Sequence, residues 1–330
     1  MAKFDHLLCT APMMDWSDRH CRFFFRQLSG NAVVYTEMVT TGALIHGDLE
    51  RHLRFNAAEH PVALQLGGSD RAELAQCARL GEQYGYDEIN LNCGCPSERV
   101  QHGAFGACLM AEPQLVADCV EAMRDAVSIP VTVKHRLGID AIEAYDFVRD
   151  FVGIVARAGC ETFFVHARNA VLKGLSPKDN REVPPLKYDH VYRLKHDFPE
   201  LRIVVNGGVN TLNAIEPHLS HVDGVMLGRL AYHDPYVIAQ AGARLFGEPP
   251  RSRSAIVNAM LAYANDQVAA GTPLRAIVRH MLGLYHGQPN ARIWRRMLSD
   301  ASLLAANRPG LLLDAMAATE SGMPMLAAVA

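Results

Sequence analysis

The chain has 330 residues, 49% of them hydrophobic and 20% charged, and a formal net charge of −3. This length suits one large domain plus a smaller one, and the near-neutral balance excludes a global basic footprint for nucleic acid. There is no run of 18 apolar residues, and Met1-Ala2-Lys3-Phe4-Asp5-His6 leads into no long apolar stretch, so neither a membrane span nor a signal peptide is expected.

From residue 7 to about residue 230, short apolar runs alternate with longer amphipathic stretches. Runs at 7–13, 33–37, 62–65, 88–92, 131–134, 163–166, 203–206 and 224–227 read as eight strands. Helical patterns at 70–83, 112–126 and 143–158 lie between them, and Pro113 suits a first helical turn. A period of about 30 residues indicates parallel βαβ units, and eight of them indicate a TIM (β/α)8 barrel. A doubly wound sheet is the rival, but no Gly-x-Gly-x-x-Gly follows the first strand. After Tyr236 the strand patterns stop, and 255–269, 273–285, 292–305 and 310–318 show helical spacing. Glu248-Pro249-Pro250 reads as a linker. The expectation is an α/β barrel domain over 1–247 and a small all-helical domain over 251–330.

Eight cysteines (Cys9, Cys21, Cys77, Cys93, Cys95, Cys108, Cys119 and Cys160) occupy the first half. A lone Cys-x-Cys at Cys93 and Cys95 is a poor metal pattern, so reduced thiols and no metal are expected in a cytoplasmic protein. Residues 251–330 carry eight arginines and no lysine against four acidic residues. Such a local excess fits a surface for an anionic partner or, more plainly, solvated helix faces.

The strand ends finish in Pro12-Met13-Met14-Asp15, Glu37, Gln65, Asn92, Lys134, His166, Asn206-Gly207-Gly208 and Gly228-Arg229. In a barrel the chemistry sits at those ends. The strand Glu88-Ile89-Asn90-Leu91-Asn92 stops at Gly94-Cys95-Pro96, where Pro96 lacks an amide donor and biases Cys95 toward an extended or turn conformation. Cys95 is then a thiol on a stiff corner; an inert core cysteine is the plainer alternative. Asn206-Gly207-Gly208 with Gly228-Arg229 reads as a phosphate site, against two βα turns that need glycine for their backbone angles. Lys134 interrupts an apolar strand. It either forms a Schiff base, stabilises negative charge on a bound ring, or caps the strand in solvent. Gln65 and His166 add polar groups to the same rim, and Pro12, Met13 and Met14 offer backbone groups and soft apolar contact. The loop 99–110 places Gly103 and Gly106 about Phe105, which suits a flap or an irregular entry into the next helix.

Taken together, these motifs resemble the flavin-dependent tRNA-dihydrouridine synthases. The matching stretches are Ala11-Pro12-Met13-Met14-Asp15, Tyr35-Thr36-Glu37-Met38, Gln65-Leu66-Gly67-Gly68, Asn90-Leu91-Asn92-Cys93-Gly94-Cys95-Pro96, Val133-Lys134, Val165-His166-Ala167-Arg168, Asn206-Gly207-Gly208 and Gly228-Arg229. They occur in family order across the whole barrel. Asp15-Trp16-Ser17-Asp18-Arg19-His20 and the stretch 174–182 resemble the branch that acts on uridines 20 and 20a of the tRNA D-loop. Cys93 and His135 depart from the family pattern without replacing a functional group.

The resemblance implies FMN in the barrel mouth and NADPH as reductant. Asn206, Gly207, Gly208, Gly228 and Arg229 would hold the phosphate; Pro12, Met13, Met14, Gln65, Lys134 and His166 would meet the ring. Lys134 would stabilise the anionic reduced flavin. Hydride would reach C6 of uracil while Cys95 protonates C5 as general acid. A thiol titrating near ~8.5 is mostly protonated at neutral pH, so no paired histidine is needed. The target base must leave the folded tRNA. Arg292, Arg295 and Arg296 would contact phosphates, Lys178, Asn180 and Arg181 the same RNA, and Asn92 the extruded base. A monomer is expected. An FMN-dependent dehydrogenase of a free pyrimidine, a Schiff-base aldolase and an inactive tRNA-binding barrel stay open as other readings; the arginine-rich helical region disfavours the first.

Overall fold

Eight segments rich in β-branched and aliphatic residues form strands: β1 Leu8–Thr10, β2 Val34–Thr40, β3 Val62–Gly67, β4 Glu88–Cys93, β5 Val131–Arg136, β6 Thr162–His166, β7 Arg202–Asn206 and β8 Gly224–Leu227. The computed structural model describes residues 4–97, 100 and 103–322. All strand pairs are parallel, in the order β1-β8-β7-β6-β5-β4-β3-β2. A parallel bridge between Cys9 and Val33, with Thr10 N–H on the Val33 carbonyl at 2.9 Å, brings the two ends of the sheet together. Eight parallel strands alternating with helices make a TIM barrel.

Period-two alternation divides each strand between barrel interior and helix layer. Tyr35, Ala63, Phe164, Val204 and Met226 pack together inside, with Cys9, Ala11 and Val33. The outer positions Ile89, Leu91, Val133 and Val165 are fully buried beneath the helices. The first strand is shorter than the apolar run 7–13. Pro12 lacks an amide donor, and the Met13 carbonyl turns to accept from Trp16 N–H (3.0 Å) and Ser17 N–H (2.9 Å).

Helix ends follow local chemistry. Asp70 caps Arg71–Tyr84 by accepting from Ala72 and Glu73 N–H, and Gly85, at φ +94°, ends it. In the C-terminal region Arg253–Ala269 and Leu311–Ser321 are helical. Two expected helices are broken. The helix expected over 273–285 is confined to Leu274–Val278. After it the chain winds through three-residue turns, such as Leu284 N–H to Met281 O at 2.9 Å and His286 N–H to Gly283 O at 2.8 Å. The stretch 292–305 divides into Ala291–Ser299 and Ala301–Ala305, because Asp300 turns its carboxylate back onto Ser302 and Leu303 N–H and starts a new helix.

The chain forms two compact units: Met1–Ser17 with Ala32–Gly228, and Asp18–Asn31 with Arg229–Ala330. The first contains all eight strands. In the second, the helix Arg19–Leu28 is fastened by His20 Nδ1 to the Tyr263 hydroxyl at 2.8 Å and by Phe23 stacked on Tyr263 at 3.9 Å. Glu248, read from sequence as part of a linker, accepts from Asn31 N–H at 2.8 Å and from Ser29 Oγ at 3.1 Å within the same unit. Among the described residues no helix is long and apolar enough to cross a membrane.

Candidate active site

β4 points Glu88, Asn90 and Asn92 into the barrel and then turns at Gly94-Cys95. The Asn92 carboxamide oxygen accepts from the backbone N–H of Gly94 at 3.1 Å and of Cys95 at 3.0 Å. Such a side-chain-to-backbone turn is one asparagine favours. The opposite side of the corner is also held. Arg136 Nε donates to the Gly94 carbonyl at 2.8 Å, and Ala107 N–H donates to the Cys95 carbonyl at 2.9 Å. Gly106 permits the second contact: it sits at φ +76°, and a Cβ there would lie 2.6 Å from the Cys95 oxygen. The Cys95 thiol is part-buried and donates to Ser97 Oγ at 3.5 Å. Cys93, one residue back, is fully buried. Cys95 is a part-exposed thiol on a fixed backbone.

The loop that follows supplies Phe105, which packs so close to Gly67 that a Cβ there would lie 2.9 Å from its ring. From Gly106 to Ala111 the chain forms a 3-10 helix. Arg99, Gln101 and His102 of the 99–110 loop lie outside the described residues.

The barrel mouth brings Gln65, Asn92, Lys134, His166 and Asn206 together as inward residues at the ends of β3 to β7. Asn92 Nδ2 donates to Gln65 Oε1 at 2.8 Å. Lys134 Nζ donates to Asn206 Oδ1 at 3.1 Å, and Asn206 Nδ2 donates to the Met226 carbonyl at 2.8 Å. After β7 both glycines are demanded by the turn itself. Gly207 (φ +95°) has His166 where a Cβ would stand, at 2.5 Å, and Gly208 (φ +72°) has Leu186 and the Tyr188 hydroxyl at 2.4 Å. Gly228 differs: a Cβ there meets nothing nearer than Ala11 Cβ at 4.0 Å, so packing does not require glycine. Arg229 starts the helix Arg229–His233. Pro12 and Met13 are part-buried beyond β1, and Met14 is 59% exposed.

Positive charge gathers at this mouth. Desolvation, then the neighbouring Arg136 guanidinium, brings the Lys134 ammonium down to about 7, with Cys95 acting in the other direction. His166 is pushed well below its ordinary value by burial, then by Arg136, Lys134, Arg168 and Arg181. Its imidazole is neutral at physiological pH. Cations that repel one another in a low-dielectric rim would be stabilised by an anion placed among them.

The loop after β6 contains Lys178 and Arg181, both exposed. Asn180 between them is fully buried. Its Nδ2 donates to the Val171 carbonyl at 2.8 Å, and its Oδ1 accepts from Val171 N–H at 2.7 Å. Its carbonyl accepts from Arg136 Nη1 at 2.9 Å. Asn180 therefore shapes the loop from within, and the sequence-based expectation of an RNA contact there gives way to this internal role. In the second unit, Arg292, Arg295 and Arg296 are exposed on the helix Ala291–Ser299, whose Trp294 and Met297 are buried. Trp294 Nε1 donates to the Met281 carbonyl at 2.8 Å and fixes that helix in place.

The pattern of the dihydrouridine synthase (Dus) family matches residues 9–319. The chain belongs to this family. A tRNA-dihydrouridine(20/20a) synthase of Pseudomonas syringae pv. tomato is 60% identical over 306 residues, 92% of this chain and 91% of that one. The protein of the same name from Synechocystis is 55% identical over 313 residues, 94% of each chain. Among solved structures, a complex of 2-naphthoyl-CoA reductase has the same barrel fold, with a TM-score of 0.56 at 11% identity, covering 73% of this chain and 50% of that one.

Arg136 and Glu88, both buried beside these residues, carry no motif in the sequence. Arg136 reads as an ordinary polar strand end, and no motif reveals that its guanidinium reaches Gly94, Asn169 and Asn180 at once. The signal for Glu88 is a carboxylate at the start of a strand whose polar residues, Glu88, Asn90 and Asn92, fall on one face.

Proposed function

We propose that this chain reduces the C5–C6 double bond of uridine in the tRNA D-loop to 5,6-dihydrouridine, at positions 20 and 20a. The observation that carries this reading is a part-exposed Cys95 thiol fixed at the cation-lined mouth of a dihydrouridine synthase barrel. Relatives at 55–60% identity bear the name tRNA-dihydrouridine(20/20a) synthase.

The residues at the mouth fit FMN. Lys134 would present its ammonium to a ring above the bonded carboxamides of Gln65 and Asn206, with His166 beside it, and Pro12, Met13 and Met14 would present backbone and thioether. Gly207 and Gly208 would offer backbone N–H groups to a phosphate, Gly228, where a Cβ meets nothing nearer than 4.0 Å, leaves room beside it, and Arg229 would add charge. When bound, FMN reduced by NADPH supplies the hydride that enters C6 of the uracil ring.

Lys134 has a flanking acceptor in Asn206 that aims its ammonium. An anionic ring edge would raise its proton affinity and hold it charged. Cys95 gives its thiol proton to C5 as hydride enters C6, so the base gains two hydrogens and NADPH is oxidised. The Asn92 and Arg136 contacts fix where that proton is delivered; a misplacement of ~1 Å in such a group costs up to ~100-fold. Asn92, whose oxygen holds the Cys95 corner, would meet the extruded base only through the second N–H of its Nδ2. Lys178 and Arg181, from the loop that Asn180 shapes, and Arg292, Arg295 and Arg296, from a helix face, contact tRNA phosphates.

The test uses tRNA from cells lacking dihydrouridine, purified protein and NADPH, with modification mapped nucleotide by nucleotide by mass spectrometry. Dihydrouridine at 20 and 20a, lost with Cys95→Ala, is the expected result. Reduction of free uracil with tRNA untouched would transfer the protein to the small-pyrimidine dehydrogenases.

A further inference from the structure

Below Cys95, hydrogen bonds continue down the barrel interior to a fully buried carboxylate, Glu88. Asn92 Nδ2 donates to Gln65 Oε1 at 2.8 Å, and Gln65 Nε2 donates to Asn90 Oδ1 at 2.7 Å. Asn90 Nδ2 donates to Thr132 Oγ1 at 2.8 Å, and Thr132 Oγ1 donates to Glu88 Oε1 at 2.6 Å. Every link has its donor on the Cys95 side and its acceptor on the Glu88 side. We propose that Glu88 is a positioning residue that fixes the Cys95 corner through this one-way chain.

The two ends set the direction of the chain. At the top, the N–H groups of Gly94 and Cys95 can only donate, so Asn92 must present its oxygen to them. At the bottom, an ionised carboxylate can only accept. A carboxamide fits its cavity equally well when rotated by half a turn, and only its partners decide between the two orientations. Asn90, Gln65 and Asn92 each face that choice. With both ends fixed, one orientation of all three satisfies every link. Rotation of any one sets oxygen against oxygen and N–H against N–H at two junctions.

The surroundings of Glu88 keep it an acceptor. Tyr35 Oη donates to Oε1 at 2.7 Å, and His6 Nε2 stands 2.6 Å from Oε2. Arg202 Nη1 lies 3.1 Å from His6 Nδ1 and can only donate, so that nitrogen accepts and Nε2 carries the proton aimed at Glu88. Three donors converge on one carboxylate. A leucine at this position offers no acceptor to Thr132, and the chain would lose its fixed lower end. Four steps along the strand take Glu88 to Asn92, roughly 13 Å, so the effect reaches Cys95 only through the intervening links.

The catalytic consequence rests on the proposed function, but the positioning does not, and the experiment separates them. Glu88→Leu removes the lower end, Asn90→Leu cuts the middle, and Tyr86→Phe removes a buried hydrogen bond, to the Leu53 carbonyl at 2.9 Å, that lies off the chain. The first readout is the rate at which Cys95 is alkylated by iodoacetamide, followed on its own peptide by mass spectrometry, with Cys95→Ala to assign that peptide. The second is single-turnover reduction of tRNA uridine, with tRNA affinity and flavin content measured alongside. Glu88→Leu and Asn90→Leu are expected to change the alkylation rate severalfold and to slow the single turnover by about tenfold or more. Tyr86→Phe is expected to lower the melting temperature while leaving both rates unchanged. Wild-type alkylation rates in both Glu88→Leu and Asn90→Leu would overturn the proposal, and so would a loss in all three variants that tracks the melting temperature alone. If Glu88→Leu does not fold, Asn90→Leu against Tyr86→Phe decides. Should the protein leave tRNA unreduced, the alkylation rates still decide on the chain.

Discussion

Lys134 and Asn206 leave β5 and β7, with β6 between them, yet the ammonium donates to the carboxamide oxygen at 3.1 Å. The partner is neutral, so this bond aims the ammonium without balancing its charge. Burial and Arg136 then hold Lys134 down to about 7.

A pH dependence follows. Unfolded, Lys134 takes up its proton near ~10.4; folded, it does so near about 7. Between those values the unfolded chain binds more protons, so the stability of the flavin-free protein rises with pH across that window. The penalty is fully present below it and gone above it. Lys134→Met is expected to remove this slope, at most ~1.4 kcal/mol per pH unit, and to leave flavin-free protein more stable at neutral pH. Flavin retention should move the opposite way, weakening by about tenfold or more as a charge-assisted hydrogen bond is lost. Urea titrations of flavin-stripped protein across that window give the first quantity, and flavin fluorescence on dilution gives the second. Parallel slopes for parent and variant would reject the assignment of the window to Lys134.

The barrel was legible because its signal is periodic. Eight apolar runs at a regular spacing need no tertiary information, and each run ends at a residue whose polarity marks the mouth. The C-terminal helices were less so, because apolar spacing registers neither a cap such as Asp300 nor a close approach such as that at Gly283. Capping by Asp300 competes with helix continuation. At Gly283 a Cβ would lie 2.4 Å from the His233 carbonyl, a constraint imposed by a distant residue. The same limit applied to the site. Cys95, Lys134 and Asn206 lie on strand ends that can be counted from sequence, whereas Arg136 acts through carbonyls of Gly94, Asn169 and Asn180, and any residue type could have supplied those carbonyls. Asn180 reads as exposed in a polar loop, and only the folded loop shows its amide turned inward.

Asp18 gives an acid-side prediction in the second unit. It caps Arg19–Leu28 through His20 and Cys21 N–H, accepts from Arg279 Nη2 at 2.8 Å and lies 3.1 Å from His280 Nε2. Burial works against the charge, but His280, Cys21 N–H and Arg279 together hold the carboxyl well below the usual range. Its contribution is therefore present above the ordinary carboxylate value of ~3.9 and lost as pH falls through the lower folded value. Asp18→Asn keeps the cap and loses the charge, whereas Asp18→Ala loses both. At neutral pH the alanine variant should be the less stable by ~1 kcal/mol, and both variants should show a shallower loss of stability on acidification than the parent. Thermal melts across the acid range measure this; an unchanged acid slope in Asp18→Asn would remove Asp18 from the account.

The arginines at 292, 295 and 296 make the sharpest separation between binding and chemistry. They project from a helix whose buried face is secured by Trp294, so their replacement leaves the packing of that helix intact. A phosphate contact contributes counterion release, and each one lost should lower the slope of log affinity against log salt by roughly 0.7–0.9. Arg292→Ala, Arg295→Ala and Arg296→Ala combined are expected to weaken tRNA binding by about tenfold or more at moderate salt and to flatten that slope by about two to three. Flavin content and NADPH oxidation in the absence of tRNA should be unchanged, because neither involves this helix face. If instead the salt slope is unaltered while binding weakens, these side chains act by something other than phosphate neutralisation. If binding is unaltered, the face is solvated and the RNA contacts must be sought at Lys178 and Arg181.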